Sequence, residues 1–188
     1  MKYRSKHALL SLFIAAALGG MVVADASAQA RSSQRSSKAA AAEVLYPDAT
    51  RQEPATKASA KAGKKLQKLI EVYNDQDFAQ TRTLADEILA TEGANAYDKA
   101  LAAQLAAQAT YSLDDTAASK AYLLQVLELN GLDNNGHFQS MLMLAQLQLA
   151  DDDYATGLAT LDRYLAESRS AKPEDQALKG QALYQAER

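Results

Sequence analysis

Residues 138–165 read FQSMLMLAQLQLADDDYATGLATLDRYL, and this stretch decides the fold. Phe138, Met141, Leu142, Leu144, Ala145, Leu147 and Leu149 cover most of the circumference of a helix. A helix that is apolar nearly all round is buried on both flanks. Asp151-Asp152-Asp153 then breaks the run, and one of these aspartates is placed to cap a second helix. Tyr154, Leu158, Leu161, Tyr164 and Leu165 resume at helical spacing. The stretch is a helix, a short acidic turn and another helix.

The same unit appears twice upstream. Its turns are Asn74-Asp75-Gln76-Asp77-Phe78 and Ser112-Leu113-Asp114-Asp115-Thr116-Ala117. Phe78 and Tyr154 lie about 76 residues apart, two steps of roughly 38, within the period range of helical repeats. Three units give six helices. A seventh opens at Pro173, with Glu174 and Asp175 in its first turn. Leu66, Leu69, Ile70 and Tyr73 are expected inward on the first helix, and Phe78, Leu84, Ile88 and Leu89 on the second. Leu101, Leu105, Ala109 and Leu113 are expected inward on the third, and Ala117, Ala121, Leu124 and Leu127 on the fourth. Ala177, Gly180, Leu183 and Tyr184 mark the seventh. Such pairs cannot bury their apolar faces alone, so they are expected to stack into an all-α solenoid with a groove.

Within the third unit, Ala145, Tyr154 and Gly157 fall at the spacing of small and aromatic residues in a tetratricopeptide (TPR) repeat, with Leu161 and Leu165 after them. The unit resembles that family. Tyr164 departs from it, standing where a second small residue is common. The first unit keeps Phe78 and Leu89 but has Thr81 at the small position, and the second has Ala117 where the aromatic belongs. The resemblance spans roughly Lys64 to Arg188. It implies a right-handed α-solenoid of antiparallel helix pairs, about three repeats plus the seventh helix, over residues 61–188. The seventh helix resembles the first half of a fourth repeat; it reads either as part of a longer array or, through Lys179, Gln181, Gln185, Glu187 and Arg188, as a polar terminal cap. Together with a signal-like N-terminus, a basic head and the run Met141-Leu142-Met143-Leu144-Ala145-Gln146-Leu147, the chain resembles periplasmic TPR proteins found with TonB–ExbB–ExbD energy-transduction systems. That resemblance implies an accessory role in energy-coupled outer-membrane transport.

The N-terminus has the order of a secretory signal: basic Lys2, Arg4 and Lys6, an apolar stretch from Ala8 to Val23, and a small-x-small site at Ala28-Gln29-Ala30. Cleavage is expected after Ala30, with a periplasmic destination and no stable membrane insertion afterwards. Residues 31–60 are rich in Ser, Ala, Lys, Gln and Thr and contain Pro47 and Pro54. This composition is read as a disordered basic linker. Arg31 to Lys68 holds nine Lys/Arg against three Asp/Glu, a net +6. Leu69 to Arg188 holds eight against nineteen, a net −11, which opposes nucleic-acid binding.

The chain has no cysteine, so neither disulfides nor thiolate chemistry contribute. His137 is the one histidine beyond the signal and reads as a capping or surface residue. No nucleophile–base pair, phosphate-binding glycine loop or calcium-loop spacing is present, so neither an enzyme nor a metal or cofactor site is expected. The first helix of each pair would line the groove. This places Gln104, Gln108, Gln139, Met143 and Gln146 as candidate partner-binding residues. Their amides can both donate to and accept from an extended peptide, and Met adapts to varied side chains. The expected function is a non-catalytic scaffold for a protein or peptide partner of the bacterial envelope. Binding of peptides or cell-wall fragments, or assembly of envelope components, is the alternative.

Overall fold

Most helix boundaries in this protein are set by short-range hydrogen bonds. The computed structural model describes residues 43–187. Among these, α1 is Gly63–Asn74, α2 Phe78–Leu89, α3 Ala96–Ser112, α4 Thr116–Leu129, α5 Asn134–Ala150, α6 Tyr154–Ser168 and α7 Pro173–Ala186, with no strand. Residues 1–42, which include the signal and the first part of the linker read from sequence, lie outside the described residues.

One turn recurs three times at a spacing of 38 residues. Gln76, Asp114 and Asp152 adopt left-handed backbone with φ of 60°, 60° and 63°. The next residue, Asp77, Asp115 or Asp153, returns its N–H to Val72, Thr110 or Gln148 five residues back. This is a Schellman-type stop. The carboxylate of the same aspartate then accepts from Gln80, Ala118 or Thr156 and caps the next helix. A single residue thus closes one helix and opens another, which keeps the turn tight. Asn95 and Asp98 form a reciprocal capping box at α3, and Asp133 caps α5 through Gly136 N–H.

The same period governs burial on the second helix of each pair. Thr81, Ser119 and Gly157 are buried, as are Ala85, Leu123 and Leu161, and Ile88, Val126 and Tyr164. At Gly157 an added Cβ would sit 2.7 Å from the Leu149 side chain, so α5 and α6 can approach this closely only with glycine there. Each helix packs on its chain neighbour, and α1 also touches α3. Val44–Arg188 forms one compact unit.

The register differs from expectation at Ile70 on α1, which is exposed, and on α3, α4 and α7. On α3 the core is alanine: Ala100, Ala102, Ala103, Ala106, Ala107 and Ala109 are fully buried, while Leu113 is exposed. On α4, Tyr122, Leu123 and Val126 face inward, and Leu124, Ala117 and Ala121 do not. Both helices are apolar on several sides, and close helix approach selects the small residues of α3 over its leucines. The 38-residue period also puts Thr116, not Ala117, opposite Phe78 and Tyr154. On α7, Leu183 and Tyr184 are exposed and Ala182 is buried. Helix α5 is buried as expected, with Phe138, Met141, Leu144 and Ala145 at or below 1% exposure.

The linker reading requires a correction over 44–60. This segment forms no helix or strand, yet Tyr46 is 4% exposed and joins the core cluster of Phe138, Met141, Leu161 and Tyr164. Its composition is poor in apolar residues, but one tyrosine in an aromatic pocket stabilises by roughly 1.5–3 kcal/mol. Side-chain and backbone hydrogen bonds to the helix-joining loops add to that.

Candidate functional site

Residues 44–59 run as a strap past the connections that precede α3, α5 and α7. At its start the Leu45 N–H donates to Asn135 Oδ1 at 2.9 Å. The Tyr46 ring enters edge-on between Phe138 and Tyr164, with centroids 5.2 and 6.1 Å away, and Lys172 Nζ lies 5.3 Å from its centre. Inside this pocket Tyr164 donates to Asp175 Oδ2 at 2.7 Å, and the Tyr46 and Tyr164 hydroxyls are 3.3 Å apart. Burial above all pushes the Tyr164 phenol up, so it stays neutral.

Farther along, Thr50 donates from N–H and Oγ1 to the Glu167 carbonyl, at 2.8 and 3.2 Å. Arg51 spreads its guanidinium over the α4–α5 loop. Nε donates to Asn130 Oδ1 (2.7 Å), Nη1 to Asn134 Oδ1 (2.9 Å), and Nη2 to the carbonyls of Leu132 (2.9 Å) and Asn130 (3.2 Å). Glu53 accepts from Asn134 N–H at 2.8 Å, at the N-terminus of α5. Asn95 Nδ2 donates to the Lys57 carbonyl at 2.9 Å, and Ser59 N–H donates to Asp98 Oδ1 at 3.0 Å. One segment therefore holds the connections that precede α3 and α5 and the end of α6, with Lys172 of the α6–α7 loop over the Tyr46 ring.

Beside the strap lies a cleft of about 540 Å³ whose lining includes Thr50, Arg51, Glu128, His137, Arg163 and Glu167. His137 is 1% exposed and neither ring nitrogen has a hydrogen-bond partner among the described residues. It is neither a cap nor a surface residue, contrary to its reading from sequence. Its ring stands edge-on to Phe138 at 5.4 Å. Burial first, then the Arg51 and Arg163 charges, lower its pKa to about 4, with Glu167 opposing. At neutral pH the ring is uncharged, a donor at one nitrogen and an acceptor at the other.

The five groove candidates divide. Gln104 Nε2 donates to Gly136 O at 3.2 Å and Ser140 Oγ at 3.3 Å, tying α3 to α5. Gln108 Oε1 accepts from the Tyr73 hydroxyl at 2.5 Å, tying α3 to α1. Both amides stitch helices together. Gln139, Met143 and Gln146 are half-buried on α5, and the two glutamines make no hydrogen bond among the described residues. The structure thus brings Gln104 and Gln108 into the helix contacts and leaves the α5 trio free of such ties.

Tyr46 and Arg51 were not singled out from sequence. The signal that could have found them is the quartet Val44-Leu45-Tyr46-Pro47, apolar within an otherwise polar segment. The acidic run 151–153 is absorbed locally: Asp151 pairs with Lys120, Asp152 accepts from the Tyr154 hydroxyl, and Asp153 caps α6. Among the described residues no His/Asp/Glu cluster is arranged to hold a metal ion, and no helix is long and apolar enough to cross a membrane. No family model matches the chain, and no curated protein and no solved structure matches it.

Proposed function

We propose that this chain is a non-catalytic interaction scaffold, a TPR-like right-handed α-solenoid that takes up segments of protein partners. The observation that carries the reading is the strap. A segment without helix or strand, turned once where the Ala49 N–H donates to the Tyr46 carbonyl, lies along the helical array, held by the main-chain N–H groups of Leu45, Thr50 and Ser59 and by two side-chain anchors, Tyr46 and Arg51. Peptide recognition commonly joins such elements, with backbone bonds for affinity and pockets for specificity. The 38-residue recurrence of turn and burial supports the helical-repeat part of the reading. The free amides of Gln139 and Gln146, with Met143 between them, offer a second contact face.

In this reading the signal delivers the chain to the periplasm, where it serves the TonB–ExbB–ExbD machinery as an accessory. Photo-crosslinking from position 139 or 146 in the intact bacterial envelope tests it. The expected product contains a component of that machinery. Crosslinks confined to the chain itself, with the mature N-terminus not at Arg31, would count against both partner and location.

A second reading, uptake of a short peptide or cell-wall fragment, is favoured by one feature. The 540 Å³ cleft beside unpaired His137 has the size of a small-ligand site. Calorimetric titration of the purified chain with muropeptides distinguishes it, since a scaffold gives no heat.

A further inference from the structure

The helical array already holds a peptide, and that peptide belongs to the chain. We propose that the strap is a displaceable internal ligand, and that its seat receives in its place a segment of a partner protein that makes the same turn. That segment carries a tyrosine and, five residues towards its C-terminus, an arginine. The inference deepens the scaffold reading and rests on it.

Three features make the strap separable. Between residues 44 and 58 its one internal backbone bond is Ala49 N–H to the Tyr46 carbonyl, and its other bonds go to helix ends and the loops between them. Release of the strap frees the Asn134 N–H from Glu53 and the Glu167, Asn130 and Leu132 carbonyls from Thr50 and Arg51, all at helix ends or in the α4–α5 loop, and leaves the bonds inside the helices in place. Pro47 and Pro54 favour extended backbone at the residues preceding them, which keeps the free segment ready to dock again. Elements with few bonds of their own open below the global unfolding free energy.

The seat also states what it accepts. Phe138 and Tyr164 wall a slot for an aromatic ring, and the Tyr164 hydroxyl at its end favours a phenol over a plain phenyl. Five residues away, two asparagine side chains and two carbonyls form a cradle of neutral acceptors. Their layout matches the planar fork of arginine and not the point charge of lysine. Burial is the larger effect on the Arg51 charge and opposes it, while Glu53, Glu167 and Asp133 favour it, and the adjoining cleft holds the Arg163–Glu167 pair. The tethered strap competes at an effective concentration of roughly millimolar, so it screens out weak visitors and yields to a segment with further contacts.

The test uses the full chain carrying Tyr46→Ala and Arg51→Ala, and a fluorescent peptide of residues 44–59 as probe, read by anisotropy. The released variant is expected to bind the probe saturably and at least ten-fold more tightly than the unaltered chain. Probes with Tyr46→Ala or Arg51→Lys are expected to bind at least ten-fold more weakly. A variant that keeps its helical circular dichroism and does not bind the probe overturns the proposal. If the variant loses its helices, hydrogen exchange on the unaltered chain decides. The Leu45, Thr50 and Ser59 amides should exchange at least a hundred-fold faster than the central α5 amides. Equal rates would make the strap a permanent part of the core and overturn the proposal. A dimer of the unaltered chain with exchanged straps would assign the seat to a second copy and overturn it as well. Probe binding without envelope crosslinks would sink the scaffold's assigned partner and leave the seat's chemistry standing.

Discussion

Tyr46 and Tyr164 stand 118 positions apart in the chain, yet their rings meet edge-on with centroids 6.1 Å apart and their hydroxyls 3.3 Å apart. This contact fastens a stretch without secondary structure to the α5–α6 pair. It places the strap across the loops and beside the cleft that contains His137.

Truncation at Tyr46 measures that fastening. Tyr46→Ala is expected to lower the unfolding free energy by about 2 kcal/mol in urea denaturation, because aromatic burial in the core cluster is lost. Tyr46→Phe keeps the ring packing and should cost less than about 1 kcal/mol. Equal losses in the two variants would show that the hydroxyl, not the ring, holds the strap.

His137 makes stability depend on pH. Its folded pKa of about 4 lies below the unfolded value of roughly 6.5, so the unfolded chain takes up the proton first. The contribution is complete above the unfolded value and is lost as pH falls from about 6.5 towards 4. Between pH 7 and pH 5 the chain should lose about 2 kcal/mol from this group. His137→Phe should remove that part of the slope. Parallel pH profiles for the two proteins would mean that the imidazole titrates alike in the folded and unfolded states.

Two glycines should respond in opposite directions to alanine. At Gly131 a Cβ would lie 2.2 Å from the Ala96 carbonyl oxygen, where the α4–α5 loop presses on the start of α3. Gly131→Ala should destabilise by about 2 kcal/mol or more. At Gly180 nothing lies within 4 Å, and the residue is interior to α7. Gly180→Ala should raise stability by about 0.5–1 kcal/mol. Melting curves of the two variants check both signs.

The glutamines separate stitching from availability. Gln104→Ala removes two inter-helix bonds to α5 and should cost about 1 kcal/mol. Gln146→Ala breaks none among the described residues and should change stability by less than about 0.5 kcal/mol. If Gln146→Ala also abolishes envelope crosslinking from position 139, that amide belongs to a partner contact. Unchanged crosslinking would remove it from the candidate face.

Helix starts and stops were legible in the sequence because their causes are local. Asp77, Asn95, Asp115 and Asp153 cap residues three positions ahead, and Pro173 opens α7. The all-round apolar character of α5 likewise announced its burial. The inward faces of α3 and α4 were not legible. With alanines and leucines on several sides, those helices have no single stripe to read, and the close approach of their neighbours chose the alanines.

By itself, then, the sequence determined the seven helices of the described residues, most of their caps and a turn repeated every 38 residues, since each depends on contacts within a few positions. Tertiary structure alone decided that residues 44–59 lie along the loops and that Gln104 and Gln108 serve helix packing. It also decided that the imidazole of His137 is enclosed without a partner. Those outcomes join residues as many as 118 positions apart. Composition and periodicity carry no record of such pairings, because each depends on a pocket that exists only once the helices have packed.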